Sequence, residues 1–132
     1  MSELASEPSA SSDADELRNL LQRYARAADD RNIDALRALF HPDATIQGAR
    51  GAQTLDEWLV AMAEPRLYPT SMHVLADPLI ELHGDAGLLD TYAVVYQGNA
   101  ELTLGIRYQD DVERVDGRWV FRRRDAKTLW MK

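Results

Sequence analysis

The chain has 132 residues, with 15 Lys and Arg against 22 Asp and Glu, giving a formal net charge of −7. This length supports one domain with one core and excludes two, and a content of 45% hydrophobic and 28% charged residues excludes a disordered chain. The absence of Cys excludes disulfides, thiolate nucleophiles and Cys-ligated zinc together, and no apolar run approaches the roughly 20 residues of a membrane helix.

Residues 1–12 are small, polar and acidic, with Pro8 inside, and are expected to form a disordered tail. They carry neither a basic nor an apolar leader segment, so a cytoplasmic protein without a membrane partner is expected. A single domain is expected over residues 13–132. Asp13 and Glu16 have capping-box spacing, and Leu17, Leu20, Leu21, Tyr24 and Ala28 follow on one helical face. This first helix ends near Arg31. Asn32 caps a second helix carrying Ile33, Leu36, Leu39 and Phe40, ended by Pro42-Asp43. Thr45 to Gln47 reads as a short strand, and Thr54 with Glu57 opens a third helix with Leu55, Trp58, Leu59 and Met62 on one face. Pro65 and Pro69 end it.

The period then changes to two. Ser71 to Ala76, Leu79 to Leu82 and Leu88 to Tyr96 read as extended. Leu102 to Val115 and Arg118 to Asp125 form a hairpin across Asp116-Gly117. Helices followed by an antiparallel meander give an α+β order.

Two residues stand out chemically. Asp29, at the unfavourable negative end of the first helix, falls on the shoulder of the apolar stripe. It is either a solvated carboxylate or one turned inward. His73, starting a strand, is either a core-edge histidine with one satisfied hydrogen bond or a general base oriented by a carboxylate. Tyr24, Trp58, Tyr92 and Tyr96 supply either aromatic pocket walls or plain core. Tyr108, Asp110, Val112 and Arg114 share one face of the long strand, which either lines a polar pocket or braces a core edge. Three His at unrelated spacings match no metal-ligand pattern, so no metal is expected. Ser71 lacks a nucleophile elbow, phosphate-binding glycine motifs are absent, and Arg122-Arg123-Arg124 reads as a solvated strand face. Glu3, Glu7, Asp13, Asp15 and Glu16 contribute −5 before the first basic residue, leaving −2 for the rest. Without a basic groove, no nucleic-acid partner is expected.

The segment from Tyr24 through Asp29, Asn32, Leu36 and Phe40 to Pro42-Asp43-Ala44 resembles the opening of SnoaL-like proteins in the nuclear transport factor 2-like superfamily. Thr70 to His73, Gly84-Asp85-Ala86, Arg107-Tyr108 with Asp110, and Asp116 to Trp119 continue the resemblance in order, over roughly residues 13–125. It implies a cone-shaped α+β barrel, a curved antiparallel sheet enclosing a pocket closed by the N-terminal helices. The sequence is most similar to the scytalone dehydratase and hexachlorocyclohexane dehydrochlorinase branch, whose Asp–His dyad matches Asp29 and His73. Arg114 is the nearest match to the dehydrochlorinase's catalytic Arg. The dehydratase's second His and its polarising Tyr have no counterpart near Asn99 and Gly48. The resemblance implies a cofactor-independent lyase or isomerase acting on a small hydrophobic molecule, with Asp29 and His73 catalytic. Tyr24, Trp58, Tyr92, Tyr108 and Arg114 are then the expected substrate-binding residues. The alternatives are a non-catalytic small-molecule-binding or dimerisation module of the same fold, and a structural subunit like the small subunit of aromatic-ring dioxygenases. The family also implies a homodimer.

Overall fold

The structure, a computed structural model, describes residues 10–67 and 69–132, with side chains from Asp13 onward. Three helices, α1 (Ala10–Asp29), α2 (Ile33–Ala38) and α3 (Leu55–Met62), pack on a seven-stranded sheet. Its strands are β1 (Phe40–Gly48), β2 (Gly51–Thr54), β3 (Ser71–Leu75), β4 (Leu79–His83), β5 (Ala86–Gln97), β6 (Leu102–Val115) and β7 (Arg118–Met131). The order is β2-β1-β7-β6-β5-β3, with β4 also on β5, so β3 and β4 share one partner strand at its two ends. All pairings are antiparallel except β1 with β7.

The expected elements appear with shifted ends. α1 already includes Ala10, so Asp13 lies inside the helix and is not its cap; residues 1–9 of the expected tail lie outside the described residues. The Asn32 cap is present, its side chain accepting from the Ala35 N–H at 3.1 Å. However, α2 stops at Ala38, and Phe40 begins β1. Pro42 is accommodated because the β1–β7 register breaks between Phe40 and Thr45, where no ladder bond is demanded of it. The capping box at α3 is complete: Glu57 N–H donates to Thr54 Oγ1 at 3.2 Å, and Thr54 N–H to Glu57 Oε1 at 2.9 Å. β2, hidden among glycines, pairs with β1 through Gly48 and Gly51. Asp116 and Gly117 both adopt positive φ, 50° and 78°, the requirement of a two-residue hairpin that matches strand twist.

The core lies between helices and sheet. Leu17, Leu21 and Ala28 of α1, Leu36 of α2 and Leu59 of α3 are fully buried against Leu89, Val112 and Phe121 of the sheet. Each such Leu contributes about 1.5–3 kcal/mol on leaving water. The sheet curves where β7 carries extra residues. Its register to β6 slips between Asp111 and Val112 and again between Gly105 and Ile106, setting Arg122 and Leu129 out of step with the ladder. No helix among the described residues is long and apolar enough to cross a membrane.

Candidate active site

The end of α1 meets the start of β3. Asp29 is the last residue of α1, and its carboxylate gathers three donors from β3. Ser71 Oγ–H donates to Oδ1 at 2.9 Å, the His73 backbone N–H to Oδ2 at 3.0 Å, and His73 Nδ1–H to Oδ1 at 2.6 Å. These bonds offset the unfavourable helix-end position of the acid. They also set the histidine tautomer: with Nδ1 carrying the proton, Nε2 keeps its lone pair. Arg31, next to the dyad at φ 53°, donates to the carbonyls of Ala28 and Pro69 and, at 3.3 Å, to Ser71 Oγ. It thereby ties the α1 turn to the strand that carries the histidine.

His73 lines a cavity of about 150 Å³ between the helices and the inner face of the sheet. Tyr24, Trp58 and Tyr108 line it too. The Tyr24 ring meets His73 edge-on with centroids 5.8 Å apart, and lies 6.3 Å from Trp58 and 5.9 Å from Tyr108. The exposed lining residues, Ala49, Arg50 and Thr128, mark the mouth, whereas Tyr24, Tyr108 and Arg124 lie buried within. Burial holds the His73 imidazole below its ordinary pKa; Asp29 opposes that shift, while Arg124 and Arg31 reinforce it. The ring is therefore neutral near pH 7, the form that accepts a proton. Burial also pushes the Tyr108 phenol well above its ordinary range, with Tyr24 adding to the shift, so it stays a hydrogen-bond donor.

In the cavity wall Arg124 of β7 makes a bidentate pair with Asp110 of β6 behind it, Nε to Oδ1 at 2.7 Å and Nη2 to Oδ2 at 2.9 Å. Both side chains are fully buried. The guanidinium carbon sits 4.1 Å from the Tyr24 ring centroid and 4.0 Å from that of Tyr108. Burial works against the charge of each partner: it pushes the Asp110 carboxyl up, against the pull of Arg124, while Asp110 holds Arg124 charged. The third guanidinium nitrogen, Nη1, is buried and has no hydrogen-bond partner among the described residues.

Two expected binding residues lie elsewhere. Tyr92 alternates with the buried Thr91 and Ala93, so its ring faces outward, 55% exposed, with Arg107 5.6 Å from its centroid. Arg114 is on the inner face of β6 but at the hairpin end, away from the mouth. There it binds Asp13 at 3.0 Å and Asp85 at 3.1 Å and stacks on Trp119 at 4.8 Å. Neither lines the cavity. Three other Arg line it, Arg31, Arg50 and Arg124, and the sequence presents the last as part of a solvated basic run. Ser71 and Arg31 also join the site, Ser71 as a support for Asp29 rather than as a nucleophile. Among the described residues no group of three His, Asp or Glu side chains is placed to hold a metal ion.

Solved structures show the same fold at low identity. A scytalone dehydratase candidate from Novosphingobium aromaticivorans has a TM-score of 0.78 at 19% identity, covering 88% of this chain and 83% of its own. The dehydrochlorinase LinA has a TM-score of 0.83 at 20% identity, with 100% and 93% covered, and a type 2 LinA hexachlorocyclohexane dehydrochlorinase 0.74 at 18%, with 92% and 88% covered. No curated protein matches the chain in sequence. The SnoaL-like domain model matches residues 9–125, nearly the whole described fold, and the chain belongs to the SnoaL-like family.

Proposed function

We propose that this protein is a cofactor-independent lyase or isomerase that moves a proton on a small, largely apolar molecule. The observation that carries this reading is the 2.6 Å contact between Asp29 and His73 Nδ1 at the wall of the cavity between helices and sheet. His73 Nε2 takes a proton from a carbon next to an electron-withdrawing group. The C–H electron pair then forms a new double bond, either expelling a leaving group from the neighbouring carbon or shifting unsaturation along the molecule. Asp29 holds the imidazole in the productive tautomer and stabilises the imidazolium that forms. The positive charge of Arg124, in the cavity lining with Tyr24 and Tyr108, offsets the negative charge that develops on the substrate or leaving group. The dehydratase and dehydrochlorinase folds among the similar structures support a reaction of the same type.

The test uses nitrobenzisoxazole, a C–H acid that a single base opens to a coloured phenolate. Wild-type protein should accelerate the opening above buffer, and His73→Ala should lower the rate by about 10²–10⁴-fold while keeping the far-UV circular dichroism. A variant as active as the wild type overturns the mechanism, and wild-type protein no faster than buffer favours the non-catalytic binding module.

A further inference from the structure

One oxygen of Asp29 carries two donors. Ser71 and His73 stand two residues apart on β3, so their side chains share a face of the strand, and both line the cavity. Their donors meet on Oδ1, the Ser71 hydroxyl at 2.9 Å and His73 Nδ1–H at 2.6 Å. Oδ2 takes the His73 backbone N–H at 3.0 Å. The serine proton has a set direction: Ser71 Oγ accepts from Arg31 Nη1 at 3.3 Å and turns its own O–H toward the carboxylate. Two donors on one oxygen draw on the same electron density, so each weakens the other's bond. The bond to Oδ2 comes from the backbone, so the carboxylate stays aimed at His73 even where the hydroxyl is lost. The side chains of His73 and Asp29 are only 9% and 20% exposed, which leaves these few donors in control of the pair.

We propose that Ser71 is a positioning residue that governs the base through Asp29: its hydroxyl competes with His73 Nδ1–H for Oδ1 and so limits how firmly the carboxylate holds the imidazole. This deepens the function proposed above and rests on His73 being its base. A histidine gripped at full strength by a carboxylate is held as imidazolium and has no lone pair to offer. A shared carboxylate leaves the ring neutral before reaction and still supports the cation that forms during it. The other groups around His73 act differently. Tyr24 of α1 meets the ring edge-on, and Tyr108 of β6 and Arg50 line the same cavity. Arg31 and Arg124 oppose its protonation through their charge, and β5 sets Val95 beside it in the ladder. Ser71 differs from all of them in sharing the oxygen that holds the histidine.

Titration of the histidine rings by NMR in the intact chain, with His73 assigned as the signal lost in His73→Ala, tests this without any turnover. Ser71→Ala should move the His73 titration to higher pH. Ser71→Val and Ser71→Thr have the same shape, and only Thr keeps the hydroxyl. Val should move the titration up, since it also fills the place a replacing water would take, and Thr should restore the wild-type behaviour. A hydroxyl that merely braces Asp29 predicts the opposite sign, because its loss would loosen the carboxylate and move the titration down. In turnover of nitrobenzisoxazole, kcat/KM on the acid limb, taken relative to each variant's own plateau, should fall about threefold or more in Ser71→Val and stay at the wild-type ratio in Ser71→Thr. The proposal is overturned if the titration stays in place or moves down in Ser71→Val, or in Ser71→Ala should the Val variant not fold, or if Thr shifts it as far as Val. The two readings fail separately: an upward move in Ser71→Val, with wild-type protein inert toward nitrobenzisoxazole, supports the hold of Ser71 on His73 and overturns the catalytic reading.

Discussion

His73 sits between opposing influences, and their balance predicts a pH dependence. Burial lowers its pKa, Asp29 raises it, and Arg124 and Arg31 lower it further. Proton abstraction needs the neutral ring, so kcat/KM for nitrobenzisoxazole should be flat through neutrality and fall only at a pH below the ordinary histidine value. Asp29→Asn removes the supporting carboxylate. The inflection should then move lower still, and the rate should drop by about 10²–10⁴-fold as the tautomer is lost; an unchanged profile in Asp29→Asn would remove the dyad from the mechanism. Stability follows the same group with a definite sign. The folded pKa lies below the unfolded value of about 6.5, so between the two the unfolded chain binds more protons. Folding free energy is therefore unaffected by His73 above about pH 6.5 and declines as pH falls toward the folded pKa. Asp29 itself was only half legible in the sequence. A helical wheel puts it on the shoulder of the apolar stripe, and what turns it inward is its bonds to Ser71 and His73, more than forty residues away. No local pattern records such a contact; resemblance to a family did.

Among the elements, the β6–β7 pair explains both what strand periodicity revealed and what it concealed. Alternation on β6 correctly puts Tyr108, Asp110 and Val112 on one buried face. It also puts Arg114 there, but alternation carries no information about distance along the strand, and Arg114 ends at the hairpin rather than at the cavity. On β7, strict alternation from Trp119 and Phe121 would turn Arg123 inward and Arg124 out. The extra residue at Arg122 resets the phase, so that Arg124, Ala126 and Thr128 face the cavity. A bulge of one residue leaves no mark in composition, which is why a basic run read as a solvated face contains the buried guanidinium. β5 is ambiguous for another reason: Leu88, Tyr92 and Tyr96 on one face and Leu89, Ala93 and Val95 on the other are both apolar sets, and only the position of the helices decides which is inside. The buried Asp110–Arg124 pair makes a sharp prediction. Asp110→Asn leaves an uncompensated buried guanidinium and should cost about 3–5 kcal/mol by denaturant unfolding. The double replacement Asp110→Leu with Arg124→Met should recover most of that stability, because two desolvated charges are replaced by packed apolar groups, yet it should lose the acceleration of nitrobenzisoxazole opening. Recovery of both stability and activity would reduce the pair to a structural brace.

At the scale of the whole molecule, the sheet has two unequal faces. The inner one is covered by the helices. The outer one leaves Met72, Val74, Tyr92, Tyr96, Leu129 and Trp130 between 37% and 55% exposed, and Trp130 lies flat on Gly105, where a Cβ would come within 2.2 Å of the ring. These side chains come from β3, β5 and β7, on neighbouring parts of one surface. A contiguous apolar patch of this kind on a sheet marks an association site. We propose that a second copy of the chain covers it. The Asp90–Arg107 ion pair on the same face, 2.6 Å apart, gives the surface both signs of charge, so a two-fold arrangement can pair it with itself. The net charge does not oppose this, since most of the −7 sits before Leu17 and the remaining sequence is nearly balanced. The expected result in light scattering at micromolar concentration is about 30 kDa, twice the 14.9 kDa chain. Val74→Glu combined with Leu129→Glu buries two unpaired carboxylates at such an interface, and should give a folded monomer that still opens nitrobenzisoxazole, because neither residue lines the site cavity. A wild-type monomer, or a double variant that stays dimeric, would show that this face is not where two copies meet.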